Sequence, residues 1–196
     1  GEQLPLLKQS DGLPLWHSTL FVLTELRARN LAVNTILQAT RAIKFGEQLL
    51  DHLSIDLGRR LAKGVVLELH EIDALSDLFG LTQEALDGLG GSEQRADGGC
   101  RSMGVSLEAV RMRRAPARAE DRVSPQTKSI RLLYFRDYLN WRISQALHHL
   151  DYQQLAYRHL AESQADVLAK LEARIPTSSE LGLVDAREGI DEAMEL

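Results

Sequence analysis

Apolar positions in this chain recur at helical spacing in four long stretches, and those stretches predict most of the structure. From Val33 to Leu53, Ile36, Ala39, Ile43, Leu50 and Leu53 fall on one side, with Asn34, Gln38, Arg41 and Gln48 on the other. Glu68 to Leu78 repeats the pattern with Leu69, Ile72, Leu75 and Leu78. A third helix is predicted from Ser124 to about Leu147, because Ser124 can cap it, Pro125 suits a first helical position, and Leu132, Phe135, Leu139, Ile143 and Ala146 form a core face. The fourth runs from Tyr152 to Arg174 through Leu155, His159, Glu162 or Ala165, and Leu168 or Leu171, with Pro176 marking its end. Leu57 to Ala62 reads as a short helical turn. Ser18 is the expected cap of a helix from Thr19 to Arg29.

Two regions break the helical pattern. Before Ser18, short apolar runs flank Ser10-Asp11-Gly12, and Asp-Gly supplies the positive φ that a tight β-hairpin turn needs. Leu4, Leu6, Leu13, Leu15 and Trp16 are candidates for its buried side, and Trp141 also reads as core. Between Gly80 and Gly104 lie seven of the fourteen glycines, so a long loop or insertion is expected there. It continues into an arginine-rich stretch around Pro116.

Composition agrees with packed helices, since 44% of the 196 residues are hydrophobic, only 5% are aromatic, and Leu and Ala recur throughout. No leader-like or long apolar stretch stands in the sequence, so a cytoplasmic protein without membrane contact is expected. Cys100 is the only cysteine and reads as an incidental loop thiol. His148 and His149 are adjacent on a helix and cannot share one ion, so no metal or other cofactor is expected.

Net charge is −5, which for the whole chain argues against a nucleic-acid partner. Its distribution changes that picture. Residues 111–142 hold nine basic against three acidic side chains, a net of +6, whereas 162–196 hold three against nine, a net of −6. A local positive field of this kind can steer a phosphate backbone. The predicted helices at 33–53 and 124–147 also match at an offset of 92 residues, Thr35 on Thr127 and Lys44 on Arg136, as a duplicated helical unit or a chance likeness would do.

The stretches Leu31-Ala32-Val33-Asn34-Thr35-Ile36, Ala42-Ile43-Lys44, Ser124-Pro125-Gln126-Thr127 and Arg136-Asp137-Tyr138-Leu139-Asn140-Trp141 resemble the paired helices of the core-binding domain of tyrosine recombinases, the phage-integrase family. Leu69 to Leu75, and Leu13-Pro14-Leu15 followed by Leu26 to Asn30, are similar to the same family. The resemblance implies a mainly α fold, a SAM-like helical bundle with an N-terminal β-hairpin and a long Gly/Arg-rich insertion. It implies a hairpin and helix over 1–30, a helical core-binding domain over 31–176 with the insertion at about 80–122, and an acidic linker over 177–196 leading to a missing catalytic domain.

Its implied function is binding of duplex DNA at a recombination site, with other recombinase subunits as further partners. The residues carried over are Thr35, Gln38, Arg41 and Lys44 on the first helix and Thr127, Lys128, Arg131 and Arg136 on the second; Arg113 and Arg114 in the basic stretch are added as phosphate contacts or as part of a merely solvated loop. Lys and Arg neutralise phosphates, and Gln and Arg can bond base edges in pairs. The family's catalytic Arg, His and Tyr series has no counterpart here, so this chain is expected to have no catalytic residue and no enzyme activity, its parent protein being a recombinase. Tyr157-Arg158-His159 reads as an ordinary helix face. The rival expectation is a helical protein-interaction module without DNA contact.

Overall fold

The computed structural model describes residues 5–8, 12–91 and 119–177. The described part is mainly α-helical and contains no β-strand. Lys8 and Pro14 form an isolated antiparallel bridge, and the Leu15 amide donates to the Leu7 carbonyl at 2.9 Å. Leu7 is the residue that this crossing buries. Leu13 and Trp16, expected on the buried side, are 62% and 69% exposed, and Leu6 also faces solvent. Leu4 and the Ser10-Asp11 turn lie outside the described residues.

The first helix, α1, spans Trp16–Phe21 and passes directly into a π-helical segment, Val22–Arg27. It therefore starts before Ser18, which was expected to cap it. Leu15 takes the cap position, and Ser18 is buried one turn in with its hydroxyl donating to the Tyr138 hydroxyl at 3.4 Å. A hydroxyl that finds a tertiary partner has no need of the local backbone amide.

Helix α2, Val33–His52, buries Ile36, Ala39, Ile43 and Leu50 as the periodicity requires, and Phe45 and Leu49 in addition. Its apolar face is broad because it packs against two later helices. Ser54 then turns the chain at a φ of 57°. In α3, Leu57–Ala62, the Asp56 carboxylate caps the start by accepting from the Arg59 amide at 2.9 Å. Helix α4, Leu69–Phe79, has Glu71 Oε2 accepting from the Glu68 amide at 2.8 Å, and Arg60 clamps the same carboxylate at 2.6 and 2.7 Å.

Helix α5, Gln83–Gly91, occupies the start of the region expected to be a loop. Glycines weaken a helix by about 1 kcal/mol each, but Thr82 Oγ1 accepts from the Ala85 amide at 3.2 Å and Leu86 is buried, and these two anchors offset that cost. The rest of the expected insertion, with Cys100, Arg113 and Arg114, falls outside the described residues up to a short 3-10 turn at Ala119–Asp121.

Helix α6, Pro125–His149, begins as the sequence dictates, with Ser124 Oγ accepting from the Thr127 amide at 3.2 Å. Leu132, Phe135, Leu139 and Ile143 are fully buried, in a helix that packs on α1, α2, α4 and the helix that follows it. Phe79 stands between Phe45 and Phe135, with ring centroids 5.9 and 5.1 Å away, and Trp141 packs edge-on to Phe21. Helix α7, Leu155–Glu172, packs along α6 and α4. Its buried residues are Leu160, Val167 and Leu171, so Leu171 of the expected face is inside, while Leu155 is 66% exposed and His159, Glu162 and Ala165 also lie outside, the face being turned at its start. At its end Arg174 Nε donates to Asp73 Oδ1 at 2.7 Å, tying α7 to α4. The acidic segment 178–196 lies outside the described residues.

Candidate functional site

The packing of α2 on the N-terminal half of α6 opens a groove of about 390 Å³ between them. Gln38, Arg41, Lys44 and Gln48 line it from α2, Thr127, Ile130 and Arg131 from α6, and Gln83 from α5. Five of the carried-over residues thus meet in one groove. Arg41 and Lys44 are exposed and make no ion pair with any described residue. Thr127 is half-buried, its hydroxyl 3.0 Å from that of Ser124.

Arg131 is held differently. Its guanidinium lies 4.0 Å over the Phe45 ring, and Nη1 donates to the carbonyls of Leu81 at 2.6 Å and Phe79 at 3.2 Å. Burial lowers its pKa from the ordinary arginine value. Arg131 therefore forms the floor of the groove and ties the end of α4 to α6. Arg136 bonds its neighbour Asp137 at 2.8 Å and stands 3.4 Å from Glu172 of α7, away from the groove lining. Lys128 passes beside Gly80, and Thr35 lies one turn before Gln38. Neither lines the groove.

A second and larger concavity was not foreseen. It has a volume of about 680 Å³ and lies between α1, the end of α2, the α2–α3 turn and the middle of α6. A polar network forms its floor. The Tyr138 hydroxyl donates to Glu47 Oε1 at 2.5 Å and accepts from Arg142 Nη1 at 3.1 Å, and Arg142 Nη1 stands 3.7 Å from the same carboxylate oxygen. Burial, and next the Glu47 charge, push the Tyr138 pKa well above its usual value, so the hydroxyl keeps its proton. Burial and then the Arg142 charge lower the pKa of His17 on the wall, whereas burial raises that of Asp51. Tyr138 and Arg142 sit four residues apart on one face, and two polar residues at that spacing beside a core stripe are the signal the sequence offered.

No family model, curated protein or solved structure matches the chain. Among the described residues, no cluster of His, Cys, Asp and Glu could hold a metal ion, and no helix is long and apolar enough to cross a membrane.

Proposed function

We propose that the chain binds duplex DNA through the α2–α6 groove, as the core-binding part of a site-specific recombinase of the tyrosine-recombinase type. The observation that carries this reading is the convergence of Gln38, Arg41, Lys44 and Thr127, drawn from two sequence segments about ninety residues apart, on one open groove. Exposed cations without an ion-pair partner among the described residues suit phosphates, and glutamine amides suit base edges. On this reading the bundle is SAM-like, the Lys8 to Pro14 crossing is the remnant of an N-terminal hairpin, and the Gly/Arg-rich segment is an insertion carrying Arg113 and Arg114 to the backbone. Strand exchange belongs to a catalytic domain outside this chain, in a cytoplasmic parent protein that meets other subunits on the DNA.

The test is fluorescence anisotropy on duplex DNA between about 50 and 200 mM salt, for the wild type and for Arg41→Ala with Lys44→Ala. Affinity should fall steeply with salt, and the double variant should lower the slope by roughly one for each phosphate contact removed. Absence of binding at low salt rejects the reading. Wild-type affinity and slope in the double variant, with loss of binding on neutralising Arg113 and Arg114, moves the contact to the basic segment.

A second reading, a helical protein-interaction module, is favoured by the exposure of Leu13, just before α1, and of Trp16, at its start. It predicts no salt-dependent DNA binding at all.

A further inference from the structure

We infer that the cavity between α1, α2 and α6 is a binding site for a free α-amino acid with an apolar side chain. The inference is independent of the DNA reading and starts from the cavity floor. Arg142 is only 7% exposed, yet just one of its nitrogens, Nη1, has a hydrogen-bond partner among the described residues. Its Nη2 lies toward Gly58 on the cavity wall, 3.9 Å from where a β-carbon on that glycine would stand. A guanidinium has five N–H donors, and a nearly buried one with donors left over is complementary to a carboxylate.

Opposite charge is available next to it. Glu47 shares Oε1 with Tyr138 and Arg142, leaving Oε2 without a donor among the described residues, and the Asp51 carboxylate one turn on also lines the cavity without one. The floor therefore presents an anionic and a cationic group 3.7 Å apart, each with unused bonding capacity. The ligand that matches is one whose own opposite charges are equally close, and an α-ammonium beside an α-carboxylate has that spacing. A simple carboxylate or a simple amine satisfies only half of it.

The remaining wall sets the side chain. Leu15, Ile55, Leu57 and the exposed Trp16 form an apolar part of the lining, beside the polar Ser54 and Asp56, and a volume of about 680 Å³ exceeds what the two charged groups fill. An apolar side chain reaching toward Trp16 would cover that ring and displace water from it. The charged floor fixes one end of the ligand, and the apolar part of the lining with Trp16 suits the other.

The experiment is calorimetric titration of the whole chain with L-leucine, L-methionine and L-phenylalanine, with tryptophan fluorescence followed in parallel. N-acetyl-L-leucine, which lacks the ammonium, and L-leucinamide, which lacks the carboxylate, are the comparison ligands. Saturable binding of at least one free amino acid, with both blocked forms at least about tenfold weaker than leucine, is the expected result. Glu47→Gln keeps an acceptor for Tyr138 and should weaken binding by about tenfold or more while circular dichroism stays unchanged. Trp16→Ala, at an exposed position, should abolish the fluorescence response. Absence of saturable binding, equal binding of the blocked forms, or wild-type affinity in a folded Glu47→Gln variant overturns the inference. Should Glu47→Gln fail to fold, the comparison of free and blocked ligands on the wild type decides alone.

Discussion

The Phe135 ring of α6 lies against the bare backbone of Gly46 in α2, so close that a β-carbon on the glycine would stand 2.7 Å from the ring Cε2. Two helices bearing the main core faces approach each other at this point because one of them has no side chain there. Gly46→Ala should therefore destabilise the protein by about 1–3 kcal/mol through overpacking, in spite of the better helix propensity of alanine. Gly88→Ala in α5 is the matching control, since a β-carbon there meets nothing within 4 Å. It should stabilise by about 0.5–1 kcal/mol. Urea unfolding of the two variants tests both signs, and equal effects would contradict the packing argument.

Arg131 stabilises more than it contacts outwardly. Its fork joins two carbonyls at the end of α4 while its face covers Phe45. A lysine keeps the charge but offers neither the planar fork nor the stacked surface. Arg131→Ala should cost about 1–3 kcal/mol, and Arg131→Lys should recover less than half of that loss. If Arg131→Ala left stability unchanged and lowered the salt slope of DNA binding instead, the residue would belong with Arg41 and Lys44 as a phosphate contact.

The proton balance at His17 gives stability a pH dependence. Although much of its surface is open, burial of the ring and the nearby Arg142 charge lower its pKa below the usual 6.5, so the folded chain binds fewer protons than the unfolded chain just below that pH. Stability from this source is fully present above pH 6.5 and is lost as the pH falls through the folded value. Asp51, with a raised pKa, acts in the opposite sense from 3.8 upward. On lowering the pH from about 8 to about 5.5, the melting temperature should fall more for the wild type than for His17→Gln. A larger fall in the variant would reverse the sign.

Much of this arrangement is written in the local sequence, and the exceptions have a common cause. Ser124 and Pro125 specify the start of α6 because cap and first-turn chemistry involve only neighbours in the chain. Ile36, Ala39, Ile43 and Leu50 of α2 follow from its own periodicity, Phe45 and Leu49 are added by its packing on two later helices, and the meeting of Gln38, Arg41 and Lys44 with Thr127 follows once α2 and α6 pack. Ser18 is harder to read, since a hydroxyl before a helical stretch serves equally as a cap or as a partner for a tyrosine 120 residues later. Leu155, Leu160, Leu168 and Leu171 offer α7 two overlapping faces, and contact with α6 and α4 selects the one through Leu160 and Leu171. Arg131 and Glu47 bond distant carbonyls and side chains, so their inward direction has no local signature, whereas Tyr138 and Arg142 at least share a face four residues apart.

The π-helical segment Val22–Arg27 bears on how the chain tolerates changes of length. Bonds from residue i to i+5 accommodate one residue more per turn than the flanking α-helix, and Phe21 and Leu26, five apart, both face the core while Leu23 and Thr24 look outward. Removing Leu23 or Thr24 would bring Phe21 and Leu26 to a four-residue spacing, which in an ordinary α-helix is again a single face. The same deletion inside α2 would rotate half of a helix that packs on two neighbours. The first helix thus holds a spare residue, a site where the register of the core survives a codon lost.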